Sequence, residues 1–537
     1  MTTPHEIELK LALPPTQAAA FLKRMARRRT LKGTSSAPVE QDLATRYFDT
    51  PEFALSAQGV ALRVRRTLEG TSTLEGTSTL KGTSAGRRWL QTLKTEGERQ
   101  GGLSRRLEFE MPVRRGALEW ARFPAEALAC VPEDLRGQVV PLFETRFHRT
   151  AWLIKGKGGA QIEVALDVGE IRAGERSQPL CEIELELKSG QPDALFALAL
   201  EWAAAFDCLP LDVSKAERGV RLAQGVETAP VKAVALTLDG RMSVEEGFAA
   251  TVQACLAQFQ ANLPGVFDSD DIEYVHQARV ALRRLRAALR LFRQTCALPD
   301  DLLDGLRAQA AALGPARDWD VLLVETLPAM APHYPDQAGW RRGADALQAH
   351  RIEVRAAMRA ALAAARPGAW LLAMQRWLLR HGWRLSPAGR GAPVGAALAE
   401  AQRFAQLSPL DAWVRRALKR GHRRVVRGAR VFAQLSPPER HALRIAIKRQ
   451  RYAAEFFQTL FGGRKQARYL GVLRDAQDSL GRANDAHIAW GMLTARPVEA
   501  GAMGDFALGW LAAKLAEAGN GQSAAHMQAF LDAATYW

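Results

Sequence analysis

A chain of 537 residues is too long for one ordinary core and implies two to four domains. With 47% apolar and 24% charged residues it is composed like a soluble globular protein, which excludes wholesale disorder, collagen-like repeats and a multi-span membrane protein. Charge is the unusual quantity: 73 Lys and Arg against 57 Asp and Glu give +16 and a pI near 10.0, so the expected partners are acidic, whether nucleic acid, anionic membrane or a phosphate polymer.

The charge is unevenly spread. Residues 1–230 are densely charged but nearly balanced, at about +2, whereas 231–537 carry about +14. Five scattered cysteines form no CxxC pair, so no zinc site is indicated, and so sparse a set fits a reducing cytosol. The N-terminus has no signal-peptide pattern and no apolar run is long enough to span a membrane, so a cytoplasmic protein is expected.

Strand-like alternation opens the chain at Glu6-Ile7-Glu8-Leu9-Lys10-Leu11. It recurs at Leu62–Arg65, Leu107–Glu110, Ile162–Val164 and Cys181–Lys188, with helical stretches near 16–29 and 192–206. This reads as α+β dominated by antiparallel strands. A hexapeptide Thr-Leu-Lys/Glu-Gly-Thr-Ser starts at Thr30, Thr67, Thr73 and Thr79. Its Gly, Thr and Ser content cannot build a core, so these copies are expected to be flexible loops. The tandem block (67–84) would lengthen a hairpin between the strands around Arg63 and Lys94 at little cost in stability.

From about residue 242 Ala, Leu and Arg dominate and the period becomes helical. Inter-helix turns are expected at Pro299, Gly314-Pro315, Pro367-Gly368 and Pro437-Pro438. The predicted organisation is a strand domain over 1–222, a linker over 223–241 and a helical domain over 242–530. The helical part contains a repeat. His276, Arg279, Arg283, Arg286 and Arg290 reappear 165 residues later as His441, Arg444, Lys448, Arg451 and Glu455. Leu313–Asp318 and Leu480–Asp485 follow as matching turns. Two related halves of about four helices each are implied.

Alternation puts Glu6, Glu8 and Lys10 on one face of their strand. It does the same for Arg63 with Arg65, for Arg106 with Glu108 and Glu110, and for Glu182, Glu184, Glu186 and Lys188. A sheet face in water is the ordinary explanation, but such faces mix Thr, Ser and Gln, and these carry almost only carboxylates and cations. A closed barrel with a charged, wet lumen explains them better. Clustered carboxylates bind hard divalent cations, and clustered Arg and Lys grip phosphoryl oxygens. Together they describe a metal–polyphosphate site.

Glu6-Ile-Glu8-Leu-Lys10 resembles the ExExK signature of the CYTH domain, the triphosphate tunnel metalloenzymes. The resemblance continues in order through Tyr47–Pro51, Leu62–Arg65, Gln91–Lys94, Glu108–Glu110, Thr145–Arg149, Ile162–Asp167, Glu182–Gly190 and Ser214–Gly219. It implies an eight-stranded antiparallel tunnel that hydrolyses inorganic triphosphate with Mg²⁺ or Mn²⁺. The implied metal carboxylates are Glu6, Glu8, Glu184 and Glu186, with Glu108, Glu110, Glu163 and Asp167 as further acidic candidates. The implied phosphate-binding cations are Lys10, Arg63, Arg65, Lys94, Arg146 and Lys215, and Lys10 or Lys94 would orient or deprotonate water. Glu182 and Lys188 are expected at the tunnel ends. The hexapeptide insert departs from the family between Arg65 and Lys94.

In the helical part, offsets of 0, 3, 7, 10 and 14 make each ladder one basic stripe, flanked in the first copy by the apolar Val275, Leu282, Leu285, Leu289 and Phe292. A third basic helix, Arg415 through Arg430, adds to the surface. Asp318 and Asp485 are expected to hold ladder residues. This half resembles the CHAD domain over about 240–530, which implies two pseudo-symmetric four-helix bundles and binding of inorganic polyphosphate. His276, Arg279, Arg283, Arg286, His441, Arg444, Lys448 and Arg451 are the positions that carry over. Binding rather than catalysis is expected here, possible association with polyphosphate granules included. The alternatives are a non-enzymatic granule-associated binding protein, a nucleic-acid binder, and a tunnel enzyme acting on thiamine triphosphate or cyclising ATP. No base-recognition signature supports nucleic acid.

Overall fold

The computed structural model describes residues 5–32, 36–67, 89–384, 403–517 and 522–537. It divides into two compact units. One is Met1–Ala229 with Arg366–Arg380, and the other is Pro230–Ala365 with His381–Trp537.

Among its described residues the first unit has ten strands: β1 (His5–Ala12), β2 (Val39–Asp49), β3 (Ala61–Thr67), β4 (Trp89–Lys94), β5 (Glu98–Gln100), β6 (Leu103–Val113), β7 (Val140–Lys155), β8 (Gln161–Ala173), β9 (Arg176–Ser189) and β10 (Leu209–Pro210). Eight of them form a ring in the order β1-β9-β8-β7-β2-β3-β4-β6, and β6 pairs back onto β1 to close it. Every pairing is antiparallel. The barrel is thus the closed antiparallel tunnel that the sequence implied, with β5 and β10 as short flanking additions.

Closure removes the edges and leaves the alternation to decide what faces where. The apolar members point outward. Leu9, Leu11, Ile154, Ile162, Val164, Ile183 and Leu185 are buried beneath the helices Ala18–Lys32 and Asp193–Ala203, which contribute Phe21, Met25, Leu195 and Trp202. A second apolar cluster covers β3, β4 and β6 with Leu55, Phe123 and Val131. The main core therefore lies outside the barrel wall, and the inward faces carry the polar members together with two small apolar clusters, Tyr47 with Phe143 and Leu43 with Phe147 and Leu180.

Arg366–Arg380 belongs to this unit although its sequence neighbours do not. Its helix Pro367–Leu379 buries Leu372 in the main apolar cluster. Arg376 donates two hydrogen bonds to Asp193, at 2.7 and 2.8 Å. A β-carbon on Gly368 would come within 1.7 Å of the Cys208 carbonyl oxygen, so only glycine allows this approach.

The second unit is helical. Val244–Asp268 packs on Ile272–Phe292, and Leu410–Arg430 packs on Pro437–Phe456. The two halves share their interior. Phe292 stacks on Trp413 with ring centroids 4.5 Å apart, and Leu347 from Gln337–Ala364 shares a cluster with Met503 and Leu511 from Pro497–Glu517. The apolar stripe Val275, Leu282, Leu285, Leu289 and Phe292 is buried as expected. Pro299 caps one helix, and Pro315, Pro367 and Pro437 each stand in the first turn of another, where a missing N–H costs nothing.

Two expectations change. Leu480–Asp485 is no turn but the interior of the helix Arg464–Thr494. The reason is one residue: Pro315 starts a new helix in the first copy, and its counterpart Arg482 keeps its N–H. The first hexapeptide copy also begins in a helix, since Ala18–Lys32 runs through Thr30, Leu31 and Lys32. Leu and Lys are good helix formers, and no glycine intervenes before residue 33. β3 and β4 pair as the expected hairpin, and the tandem copies between them (68–88) lie outside the described residues.

Candidate active site

The lumen is a cavity of about 630 Å³ lined by Glu6, Glu8, Glu108, Glu110, Glu163, Glu184 and Glu186, and by Lys10, Arg63, Arg65, Lys94, Arg106, Arg149, Lys188 and Lys215. The two signs are sorted by strand. Every lining carboxylate comes from β6, β1, β9 or β8, four consecutive strands of the ring. The other four, β7, β2, β3 and β4, contribute Arg149, Arg63, Arg65 and Lys94 and no lining carboxylate. One wall is acidic with interspersed cations, and the facing wall is basic.

Register explains the pairs. Glu6 stands opposite Arg106, Lys10 opposite Glu184, and Lys94 opposite Glu108. Lys10 lies 2.8 Å from Glu8, and Lys94 lies 2.7 Å from Glu6 and 3.1 Å from Glu108. Arg106 bridges Glu6 and Glu8. Burial opposes ionisation of Glu6 and Glu108, but Lys94 with its neighbouring arginines outweighs it and holds both carboxyls below the usual range. Lys10 and Lys94 are ion-paired, so each presents donor N–H groups to the lumen.

Asp167, Glu182 and Glu184 form a tight triplet whose oxygens lie within 4.8 Å of one another. Lys215 already occupies it, with Nζ at 2.7, 2.5 and 2.9 Å from the three. Lys215 opens the helix Lys215–Gln224, whose Ser214–Glu217 capping box aims it inward. Asp167 and Glu182 lie on the inward faces of their strands but are fully buried beneath Lys215 as counter-ions, Asp167 to Arg149 and Glu182 to Arg218. Glu182 therefore sits beside Asp167 inside the barrel, covered by Lys215.

Arg146 does not reach the lumen. It points outward, with its side chain 57% exposed and paired to Glu144. Side chains on β7 alternate, so a shift of one flips the face. Phe143, Thr145, Phe147 and Arg149 are the inner set, and the β7 cation in the cavity is Arg149. Arg106 and Tyr47 also line the cavity, outside the set that the sequence implied, as does Lys188, which was expected at a tunnel end. Arg106 was legible, because it shares a face with Glu108 and Glu110.

Arg65 is the least compensated cation. Its Nε donates to Thr45 Oγ1 at 3.3 Å, and no carboxylate pairs with it among the described residues. Burial first, then Arg63 and Arg149, push it down to about 10. Tyr47 stacks on Phe143, and although burial would raise its phenol, Arg63, Arg65 and Lys215 hold it below its usual value. This part of the wall attracts anions.

The acidic wall has the opposite surplus. Glu186 lies directly across from Glu8 on one side and Glu163 on the other. Like charges in register destabilise a sheet, and Lys188 is shared between Glu163 and Glu186 at 3.4 and 2.8 Å. Burial, with Glu163 and Glu6 adding to it, raises the Glu186 carboxyl. A carboxylate set that outnumbers the cations interspersed with it fits a hard divalent cation. Glu110 accepts one weak hydrogen bond among the described residues, from Thr92 Oγ1 at 3.4 Å.

In the helical unit the two ladders converge. Arg283 acts electrostatically on both Arg444 and Lys448, and Asp318 and Asp485 act on each other. Arg279 and its counterpart Arg444 each keep a buried Nε without a hydrogen-bond partner. Arg279 lies 3.9 Å from Asp318. Burial, then Arg444 and Arg283, push Lys448 down to about 8. Arg283, Arg286 and His441 are exposed and His276 is half-buried. Arg451 is diverted to Glu455 and Gln477, at 2.7 and 2.9 Å.

Comparison with known families fits this division. Residues 4–220 match the CYTH domain model and residues 250–494 the CHAD domain model. The chain carries a CYTH domain followed by a CHAD domain. An inorganic triphosphatase of Haemophilus influenzae is 32% identical over 228 residues, which is 41% of this chain and 55% of that protein. The chain thus matches little more than half the length of that relative. The crystal structure of a CHAD domain from Ricinus communis is 31% identical, covering 58% of this chain and 99% of that one at a TM-score of 0.48. A putative adenylyl cyclase from Hippeastrum described with a dominant triphosphatase activity is 17% identical, covering 41% and 97% at a TM-score of 0.28. Among the described residues no helix is long and apolar enough to cross a membrane.

Proposed function

We propose that the CYTH tunnel hydrolyses inorganic triphosphate with a divalent cation and that the CHAD unit binds inorganic polyphosphate. The observation that carries the first part is the sorting of charge around the ring. A short phosphate chain bearing one or more divalent cations has a negative backbone and positive ions. The lumen offers a matching basic wall and acidic wall across one cavity. The inorganic triphosphatase that shares the CYTH region supports the same substrate.

In this reading Arg63, Arg65, Arg149 and Lys215 hold the phosphoryl oxygens, with Arg65 as the cation that gains most from an anion. Glu6, Glu8, Glu163 and Glu186 would hold the cation. When bound, it would neutralise phosphoryl charge and polarise water. Phosphoryl transfer needs mainly positioning and charge neutralisation, which a rigid closed barrel provides. Lys10 and Lys94, each fixed by two carboxylates, orient the attacking water by donating N–H. The terminal P–O bond then breaks, releasing orthophosphate and pyrophosphate. In the CHAD unit the converging ladders form a cationic surface with few acidic partners, which an external polyanion would relieve.

The test is phosphate release from tripolyphosphate, ATP and long-chain polyphosphate with Mg²⁺, Mn²⁺ or EDTA, alongside the Glu6→Ala/Glu8→Ala double variant. Metal-dependent turnover of tripolyphosphate that vanishes in the folded variant supports the reading. No turnover with any metal or substrate leaves a binding protein.

A further inference from the structure

We propose that the exposed face of the helix Leu410–Arg430 is a second phosphate-chain surface, which takes a stretch of long-chain inorganic polyphosphate beyond the ladders. This rests on the polyphosphate reading of the CHAD unit.

The helix divides cleanly. Leu410, Trp413, Val414, Ala417, Leu418, Val425 and Ala429 are buried. Arg416, Lys419, Arg420, Arg423, Arg424 and Arg427 are all exposed, with Arg415 and Arg430 at the ends of the strip. At about 100° per residue these cations fill roughly half the circumference. Along the axis they span about 22 Å at 1.5 Å per residue. Arg415 pairs with Asp411 at 3.3 Å, but none of the other cations meets a carboxylate among the described residues.

Such a strip costs helix stability, because cations one turn apart repel. The repeat shows that the fold does not require it. By the 165-residue offset, the counterpart is 245–265 within Val244–Asp268, a helix with no Lys or Arg at all. One half of the domain carries a cationic face that the other half folds without.

The strip is also separate from the ladders. Leu410–Arg430 meets Pro437–Phe456 through Gly421 against Gln450 and Gly428 against Leu443. On Pro437–Phe456 the ladder His441, Arg444, Lys448 and Arg451 is centred about 130° round the helix from that contact. On Leu410–Arg430 the strip is centred about 140° from it. The two cationic faces thus point away from their shared interface. The cations acting most strongly on Arg444 and Lys448 are Arg283 and Arg451 and the ladder residues themselves, with none from Leu410–Arg430.

The chemistry of the strip selects the polymer. Between 415 and 430 its exposed positions are all Arg or Lys, with no amide, hydroxyl or aromatic group to read or stack a base. Seven of the eight cations are arginines, suited to gripping phosphoryl oxygens in bidentate fashion. A chain made only of phosphates matches a surface that offers only phosphate contacts.

The full chain and its Arg416→Ala/Arg420→Ala/Arg424→Ala variant would be titrated with long-chain polyphosphate, tripolyphosphate and duplex DNA over a salt series. Alanine preserves the helix, and an unchanged thermal midpoint confirms the fold. The expected result is at least a tenfold loss of affinity for long-chain polyphosphate. The slope of log K against log salt should become shallower by about 2, taking about 0.7 per lost contact on a single-stranded polyanion. Unchanged polyphosphate affinity and slope, in a protein whose His441→Ala/Arg444→Ala variant loses binding, overturns the second surface and leaves the CHAD reading standing. Loss of duplex DNA binding with polyphosphate unaffected overturns it in favour of a nucleic-acid partner. A wild-type chain that binds no polyphosphate removes the underlying reading as well.

Discussion

Arg149 donates two hydrogen bonds to Asp167, at 2.7 and 2.6 Å, and the carboxylate that receives them is fully buried. Lys215 shares the same acid. Two of the cations that line the cavity are therefore held by one buried carboxylate that is itself covered by Lys215.

Asp167→Asn should accordingly destabilise the CYTH unit. Removing one member of a buried, hydrogen-bonded ion group typically costs about 3–5 kcal/mol. Denaturant unfolding would read this as a lower midpoint. Burial opposes ionisation of Asp167, but Arg149 and Lys215 hold its carboxyl below the usual value. Its stabilising contribution is therefore complete above the unfolded carboxylate range and is lost as pH falls through the folded value. The variant should lose stability at neutral pH and show less further loss in acid.

Arg146 and Arg149 provide a test of facing. Arg146→Ala should leave tripolyphosphate turnover near wild type, since its side chain is outside the barrel. Arg149→Ala should reduce kcat/KM by about two orders of magnitude or more, in the range seen when a charge-stabilising donor is removed. Steady-state kinetics on the two variants would show the losses exchanged, with Arg146→Ala the impaired one, if the strand were in the opposite phase.

Glu186 stands between two other carboxylates, and divalent ions are expected to relieve that repulsion. Glu186→Gln should raise the concentration of Mg²⁺ or Mn²⁺ needed for half-maximal turnover. A metal titration of activity measures it, and EDTA should abolish turnover of the wild type. An unchanged metal requirement would place the cation elsewhere in the lumen.

If the CHAD unit binds polyphosphate as proposed, Lys448 should make that binding pH dependent. Its folded value of about 8 lies below that of a free lysine, through burial and through Arg444 and Arg283. The charged form is disfavoured in the fold, so stability rises as pH climbs from about 8 towards the unfolded value. Anion binding needs the proton, so affinity should be flat below pH 8 and fall above it by at most about tenfold per unit. Lys448→Arg should flatten the profile, because arginine stays charged. Fluorescence titrations between pH 7 and 10 would show it.

The helix Pro367–Leu379 should matter to the CYTH unit. Leu372→Ala removes a fully buried side chain, and Gly368→Val forces a β-carbon against the Cys208 carbonyl. The first should cost about 2–5 kcal/mol. Hydrogen exchange around Cys208 and in Asp193–Ala203 would rise in both variants. An unaltered exchange pattern would show that this helix contributes nothing to the unit.

Much of the site follows from the residues alone. Strict alternation places Glu6, Glu8 and Lys10, or Glu184 and Glu186, on one face whatever surrounds the strand, because the period of two is a property of the backbone. The same holds for the ladders, whose spacing follows from 3.6 residues per turn. Where both faces of a strand mix polar and apolar residues, the phase is not legible. On β7 the sets Phe143, Thr145, Phe147, Arg149 and Glu144, Arg146, His148 are chemically similar, and only packing decides that the first points inward. Leu480–Asp485 went astray because Gly481 reads as a turn, although one backbone N–H at Arg482 is enough to carry a helix through.

The sequence by itself determined that the first part is a charged-face antiparallel sheet and the second a repeated basic helical array, because local periodicity and charge need no partner to be read. Only the tertiary structure decided which charges meet. The order of strands in the closed ring gathers the lining carboxylates on β6, β1, β9 and β8 and leaves the facing wall basic. It brings Lys215 from a helix about thirty residues on into the triplet of Asp167, Glu182 and Glu184, and it assigns Pro367–Leu379 to the CYTH unit. Each of these depends on contacts between segments far apart in the chain, where the free energy of burying an ion or an apolar side chain is set by its neighbours in space.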